Sequence, residues 1–327
     1  QQSELLGITS RAFYTNTLGP FLEKLTSMSG LEVALPMNTG AEAVETAIKA
    51  ARRWAYKTKK VEANKAEIIV VEGNFHGRTT TIISFSSDNE SREDFGPYTP
   101  GFVTIKYNNI DSLKDAITKN TAALLVEPIQ GEAGIIIPDS EWLPEVRKIC
   151  TENNVLLILD EIQSGLGRTG KMFAFEHSSI KPDGLILGKA LGGGLLPVSC
   201  FLSTSEVMQW FVPGSHGSTF GGYPLAAAIG KRSLEVIEEE KLVVTEVEEE
   251  KELSWGERLF GVSEDKVENK VEAVEINRFD SVVIVTSDRG HGAGFYISSD
   301  EVLTNYHVVE NTLSIILEDN KGNKSSA

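Results

Sequence analysis

Two short stretches constrain this chain more than anything else in it. Val155-Leu-Leu-Ile-Leu-Asp160 is an unbroken apolar run of strand length that ends in an acid, and Glu161-Ile-Gln163-Ser-Gly-Leu-Gly-Arg-Thr-Gly170 then breaks into glycines. Leu187-Gly-Lys189-Ala-Leu-Gly-Gly-Gly194 closes a second apolar strand at a lysine, again before glycines. An apolar run without alternation suits a strand buried on both faces, the situation of a parallel sheet covered by helices. An acid and a lysine at the carboxyl ends of neighbouring strands sit where open α/β sheets place their ligands.

That pair has a chemistry of its own. A lysine amine condenses with an aldehyde to a Schiff base, and a carboxylate keeps a pyridine nitrogen protonated so that the ring draws electrons. Pyridoxal 5'-phosphate is the cofactor that uses both. Each residue alone has a plainer reading: Lys189 as a surface residue closing a strand, Asp160 as a cap after one. Their coincidence with the glycine runs favours the chemical reading. Thr39, Gly40 and Ala41 open a helix that is expected from Ala41 to about Lys57, with Glu42 and Glu45 in its first turn. Free amides and the positive helix end make an anion site there, and Gly40 allows close approach.

The surrounding text alternates in type. A helix is expected over Arg11 to Ser29, with Phe13, Leu18, Phe21, Leu22 and Leu25 inward and Gly19-Pro20 as a break or restart. Strands follow at Val33–Met37, Glu67–Glu72, Ala122–Glu127 and Val198–Ser203, and helices at Leu113–Thr118, Glu141–Asn153 and Tyr223–Glu240, with a polar loop over Ser86–Gly101. Strands alternating with helices imply an α/β fold with a mostly parallel sheet.

Asp160-Glu-Ile-Gln163 followed by Gly188-Lys189-Ala-Leu-Gly-Gly resembles the signature of the class III aminotransferases. Ser10-Arg-Ala-Phe-Tyr14, Met37-Asn-Thr-Gly-Ala-Glu-Ala43, Gly73-Asn-Phe-His-Gly-Arg78, Glu127-Pro-Ile-Gln-Gly-Glu-Ala-Gly134 and His216-Gly-Ser-Thr-Phe-Gly-Gly222 extend the likeness. Together they make the chain from about Thr9 to about Glu240 similar to the ornithine aminotransferase branch of that family. The resemblance implies the large domain of a type I pyridoxal phosphate transferase over residues 1–240. It implies Lys189 as Schiff-base lysine and proton carrier, Asp160 at the pyridine nitrogen, and Gln163 at the ring hydroxyl. Thr39, Gly40 and Ala41 would hold the phosphate, with Ser218 and Thr219 reaching it from the partner subunit of a homodimer. Phe75 would stack on the ring, Glu127 would orient Asp160 and Gln163, Arg78 would hold a substrate carboxylate, and Glu132 would act as a gate that pairs with a distant arginine. The implied reaction carries the δ-amino group of ornithine to 2-oxoglutarate, giving glutamate 5-semialdehyde and glutamate, in the cytoplasm or the mitochondrial matrix. Acetylornithine or 4-aminobutyrate as substrate, and a non-catalytic remnant, are the alternatives. No copy of the family's small C-terminal domain or of its N-terminal segment is recognised in the chain.

Past residue 240 the character changes. Residues 241–274 are dense in Glu and Lys and are expected to form a charged linker or a solvated helix. Ser281–Val285 and Gly294–Ser298 are expected strands of a small β-rich partial barrel over residues 275–327, with glycine-rich turns between them. Gly292-Ala-Gly-Phe295 with Leu303-Thr-Asn-Tyr-His307-Val-Val resembles the part of a trypsin-like serine protease that carries the catalytic histidine. No Gly-Asp-Ser-Gly follows. Without a nucleophile, His307 has nothing to activate, and protease activity is not expected.

Composition narrows the partners. A net charge of -16 argues against nucleic acid, whose phosphates would be repelled. No apolar run approaches the length of a membrane span. Cys150 and Cys200, in apolar surroundings and without metal-ligand spacing, are expected to be buried free thiols. The partners expected are amino acid and 2-oxo acid substrates and a second copy of the chain.

Overall fold

The computed structural model describes residues 1–10 and 13–243, together with the backbone of five strands between 282 and 326. It divides into two compact units, Gln1–Val247 and Glu248–Ala327.

The first unit is built on a seven-stranded sheet. Its strands are β1 (Val33–Met37), β2 (Glu67–Val71), β3 (Phe102–Ile105), β4 (Thr121–Val126), β5 (Leu156–Asp160), β6 (Gly184–Leu187) and β7 (Ser199–Ser203), in the spatial order β1-β7-β6-β5-β4-β2-β3. The pairs from β6 through β5, β4 and β2 to β3 are all parallel. Only β7 runs the other way, antiparallel to both β1 and β6, so β1 points in the same direction as β6. The expected mostly parallel sheet is therefore present. The carboxyl ends of β1, β2, β4, β5 and β6 share one edge.

The apolar runs explain why the sheet has two covered faces. Along β5, Leu157 and Leu159 join one buried cluster and Leu156 and Ile158 the other, as period-two strands require. Leu124 and Val126 of β4 fall on the first face, Ala123 and Leu125 on the second. Helices Leu18–Ser29, Trp142–Glu152 and Pro224–Glu239 bury Phe21, Leu25, Val146, Ile149 and Leu234 in the first cluster. Helix Gly40–Trp54 covers the other face with Ala43, Val44, Ala47, Ile48 and Ala51. Each buried Leu, Ile or Val contributes about 1.5–3 kcal/mol by leaving water. Helices Leu18–Ser29 and Pro224–Glu239 meet closely: a Cβ on Gly230 would lie 2.6 Å from the Phe21 ring.

Two expectations are corrected. The first long helix begins at Leu18, not Arg11, and Phe13, expected inward, is 69% exposed. The Thr15 hydroxyl accepts from the Leu18 amide and marks the start. Pro20 then falls in the first turn, where no intrahelical N–H is missed. The helix expected to run to Lys57 is α-helical only to Trp54 and continues as a π-helical turn, Ala55–Lys59.

The second unit contains a five-stranded sheet of β8 (Val282–Ser287), β9 (Gly290–Tyr296), β10 (Val302–Thr304), β11 (Ile315–Asp319) and β12 (Lys324–Ser326), ordered β10-β9-β8-β11-β12 and antiparallel throughout. Gly290 to Ala293, expected in a turn, belong to β9 and pair with β8. His307 and most of the expected 241–274 segment lie outside the described residues. Among the described residues, no helix is long and apolar enough to cross a membrane.

Candidate active site

A cavity of about 180 Å³ opens at the shared carboxyl edge, lined by Gly40, Ala41, Phe75, His76, Glu127, Asp160, Gln163, Ser164 and Lys189 among others. They arrive from the ends of five strands, β1, β2, β4, β5 and β6, or from the segments after them. The residues expected at the cofactor thus meet in one place, except Thr39, Ser218 and Thr219, which do not line this cavity.

Its floor is a buried charged group. Asp160, the last residue of β5, accepts from His76 Nδ1 at 2.7 Å through Oδ2 and from the Ile162 amide at 3.0 Å through Oδ1. Burial pushes the His76 ring towards neutrality, but the hydrogen bond and charge of Asp160, with Glu127 adding, outweigh it and raise the pKa. Glu127, after β4, accepts from the Phe75 amide at 3.0 Å and also from that of Gly131. Burial, opposed by His76 and those amides and reinforced by Asp160, pushes Glu127 up to about 7. Glu127 therefore acts on the loop that carries Phe75; among the described residues it makes no hydrogen bond to Gln163, the partner expected for it. Gln163 instead lies over Gly131, where an added Cβ would come within 2.1 Å of its Oε1.

Glu161, next to Asp160, faces the other way. Its oxygens accept from the amides of Ala174 and Phe175 at 2.7 and 2.9 Å. Burial raises it to about 8 despite those amides. It ties the segment after the Gln163 turn to the strand that carries Asp160. His76 and Glu161 had no role in the sequence reading. His76 meets its partner 84 residues away, which no local spacing announces.

The anion cradle is the start of helix Gly40–Trp54. Thr39 is its N-cap and forms a capping box with Glu42. Glu42 Oε2 also accepts from the Asn38 amide, and Ser199 Oγ donates to the Thr39 carbonyl at 2.7 Å. The Gly40 and Ala41 amides are the first two of the helix and have no protein acceptor among the described residues, and both residues line the cavity. A Cβ on Gly40 would sit 2.8 Å from Ile162 Cδ1, and one on Gly188 would sit 3.2 Å from Ile162 Cγ2. Ile162 thus packs between two glycines and brings the helix start, the acid turn and the lysine turn together.

Lys189 stands at the rim with φ +40, a left-handed conformation that costs a side-chain-bearing residue about 1 kcal/mol. Its Nζ lies 3.9 Å from Glu132 Oε1, and both side chains are about half exposed. Phe75 is partly exposed beside the cavity, and the Arg78 guanidinium lies 5.9 Å from its ring centroid. Ser218 and Thr219 line a second hollow with Thr9, Ser10 and Gly217.

Pyridoxal 5'-phosphate fits this donor set. The cavity offers amides for a phosphate, a buried carboxylate for a ring nitrogen, an aromatic face, a glutamine and an amine. Two of its buried polar atoms, His76 Nε2 and Ser164 Oγ, also have no protein partner.

The family model described as Aminotransferase class-III matches residues 1–271. The ornithine aminotransferase of Brevibacillus brevis is 58% identical over 247 residues, 76% of this chain and 62% of that protein. That of Bacillus subtilis is 58% identical over 241 residues, 74% of this chain and 60% of the relative. The chain thus spans about three fifths of the length of the curated relatives it matches. Among solved structures, the ornithine aminotransferase of Toxoplasma gondii superposes with a TM-score of 0.73 at 44% identity, covering 73% of this chain and 57% of that one. The acetylornithine aminotransferase of Elizabethkingia anophelis gives 0.64 at 45% identity with the same coverages. With its sheet, its rim and a family match over most of its length, the chain belongs to the class III aminotransferases.

Proposed function

We propose that residues 1–240 are the cofactor domain of an ornithine aminotransferase, which moves the δ-amino group of ornithine to 2-oxoglutarate. The observation that carries the reading is the meeting of Asp160, Lys189 and the Gly40–Ala41 amides in one cavity at the carboxyl edge of the sheet. The choice of ornithine rests on the relatives so named at 55–58% identity. Acetylornithine is the second reading, because a solved acetylornithine aminotransferase is as similar in sequence as the solved ornithine enzymes.

When bound, pyridoxal 5'-phosphate supplies an aldehyde that takes up the amino group and a ring that spreads negative charge from the substrate carbon. The residues of this chain do the rest. The Gly40 and Ala41 amides, at the positive helix end, hold the phosphate. Asp160, fixed by His76 and Ile162, would keep a proton on the ring nitrogen, since a negative charge nearby favours the protonated ring. Phe75 would cover one face of the ring and Gln163 would bond its hydroxyl. Lys189 Nζ would carry the proton that leaves the substrate carbon. Arg78 offers a planar fork to a substrate carboxylate. Glu132 gates the exchange of substrates. Ser218 and Thr219, outside the cavity of their own chain, complete the phosphate site of a second copy.

The experiment is a titration. The chain mixed with pyridoxal 5'-phosphate is expected to gain absorbance near the visible edge, and borohydride is expected to fix the label on Lys189. Lys189→Ala is expected to remove both signals. Ornithine should bleach the band, while acetylornithine and 4-aminobutyrate should not; the reverse result transfers the assignment to the second reading. A chain that stays colourless at saturating cofactor overturns the proposal.

A further inference from the structure

One residue of the glycine-bounded loop 214–222 has no part in the chemistry above, and its contacts are unusually specific. His216 stacks on Phe211 with ring centroids 4.9 Å apart. Its two nitrogens both meet helix Gly40–Trp54. Nε2 is 2.9 Å from Thr46 Oγ1 and Nδ1 is 2.8 Å from Lys49 Nζ. The Thr46 hydroxyl spends its one proton on the Glu42 carbonyl at 2.7 Å, so its oxygen must accept from Nε2–H. An ammonium has donors only, so Nδ1 must accept from Lys49. The two partners together select the neutral ring with its proton on Nε2. Two residues further on, Ser218 Oγ accepts from Asn38 Nδ2 at 3.0 Å, and Glu42 holds Asn38 in turn. The loop is thus tied at two points to the helix whose first turn is the anion cradle.

We propose that His216 is a positioning residue: as the neutral Nε2–H tautomer it moors the loop to the cradle helix, so that Ser218 and Thr219 are held at a fixed offset for the phosphate of a second copy. This rests on the reading of those two residues as donors to a partner's site. The cradle that binds one cofactor and the loop that completes the neighbouring site then form one rigid frame.

Charge around the ring sets its acid limit. Burial, the larger cause, and Lys49 lower the His216 pKa from its ordinary value. The acids of the same helix near it are engaged elsewhere, Glu42 with Asn38 and Thr39 and Glu45 with Thr79. A folded-state pKa below the unfolded one means that the mooring is fully present above the ordinary imidazole pKa. It is lost as pH falls through the lowered folded value. An imidazolium would put a second N–H against the Lys49 ammonium and break that tie.

The test uses the full chain labelled with nitrogen-15 at histidine. His216→Phe assigns the resonance while keeping a ring on Phe211. The expected spectrum shows an Nε2–H tautomer with an accepting Nδ1 and a titration midpoint below that of exposed histidines, and Lys49→Met raises that midpoint. An Nδ1–H tautomer, or a midpoint that Lys49→Met does not move, overturns the proposal. The positioning role is read from the dissociation constant of pyridoxal 5'-phosphate, by absorbance, across a double-mutant cycle. His216→Phe is expected to weaken binding about tenfold, as two lost hydrogen bonds would. It is expected to do nothing further in a chain already carrying Ser218→Ala and Thr219→Val. Full additivity overturns the proposal. If the Ser218 and Thr219 changes themselves leave the affinity untouched, the second-copy reading fails and the proposal falls with it, whatever the tautomer.

Discussion

The floor and the rim of the cavity each pair an acid with a base, and they differ in nearly every other respect. At the floor, Asp160 and His76 are almost fully buried and 2.7 Å apart. At the rim, Lys189 and Glu132 are about half exposed and 3.9 Å apart. A pair of charges near 4 Å is worth about 1 kcal/mol in water and about 4 kcal/mol at the effective dielectric of a protein site. The floor pair is also held by the Ile162 amide, which donates to Asp160. Among the described residues the rim pair has no further hydrogen bond. Under the proposed function the difference separates two tasks: a carboxylate already oriented when a ring arrives, and an amine that changes partners during turnover.

The sharpest way to break the comparison is at the floor. Asp160→Ala removes the acceptor of a buried histidine and leaves a buried N–H and a cavity. It is expected to cost about 3 kcal/mol of folding stability, measured by urea denaturation, besides abolishing cofactor binding. A loss below the cost of a surface substitution would show that the pair is not buried as described.

A second effect is a pH slope. Glu127 is raised to about 7, Glu161 to about 8, and His76 is raised as well. For each, the folded chain binds the proton more tightly than the unfolded one. Their contribution is therefore complete below the unfolded values and is lost as pH rises through the folded ones. Stability is expected to decline from about pH 5 to about pH 8 through these groups. Glu127→Gln should flatten that slope up to about pH 7 and Glu161→Gln up to about pH 8, both read from the denaturation midpoint at stepped pH. A slope that is unchanged in both variants would contradict the assignment of these acids.

The same contrast governs what the sequence disclosed. Strands β4, β5, β6 and β7 were legible because runs such as Leu156–Leu159 have apolar side chains at every position, and only a doubly covered sheet accommodates that. Asp160 of the floor and Lys189 of the rim are legible because each follows such a run. The pairing that holds the floor is not. His76 finds Asp160 only after β2 and β5 are placed in one sheet with β4 between them. Glu161 reads as part of the same acidic motif as Asp160, yet adjacent residues at a strand end point to opposite sides, and only one of them meets the cavity. The apolar period that Phe13 shares with Leu18, Phe21 and Leu25 extends beyond the helix, which starts at Leu18. The Thr15 hydroxyl that receives the Leu18 amide was the start signal, and it competes with helix rather than extending it.

The smallest expected effect tests the rim directly. Glu132→Gln keeps the shape of the side chain and removes the charge that faces Lys189. An exposed pair at 3.9 Å gains little over solvation and is weakened by salt. The denaturation midpoint is therefore expected to move by no more than about 0.5 kcal/mol of stability, and less again in high salt. The rate at which added pyridoxal 5'-phosphate gains its bound absorbance is the more sensitive readout. With Glu132 in place, the ammonium must leave a carboxylate before its nitrogen can react, so the variant is expected to load somewhat faster at low salt and equally fast at high salt. A large stability loss would mean that the rim is as tightly built as the floor, and the two tasks would no longer be divided between them.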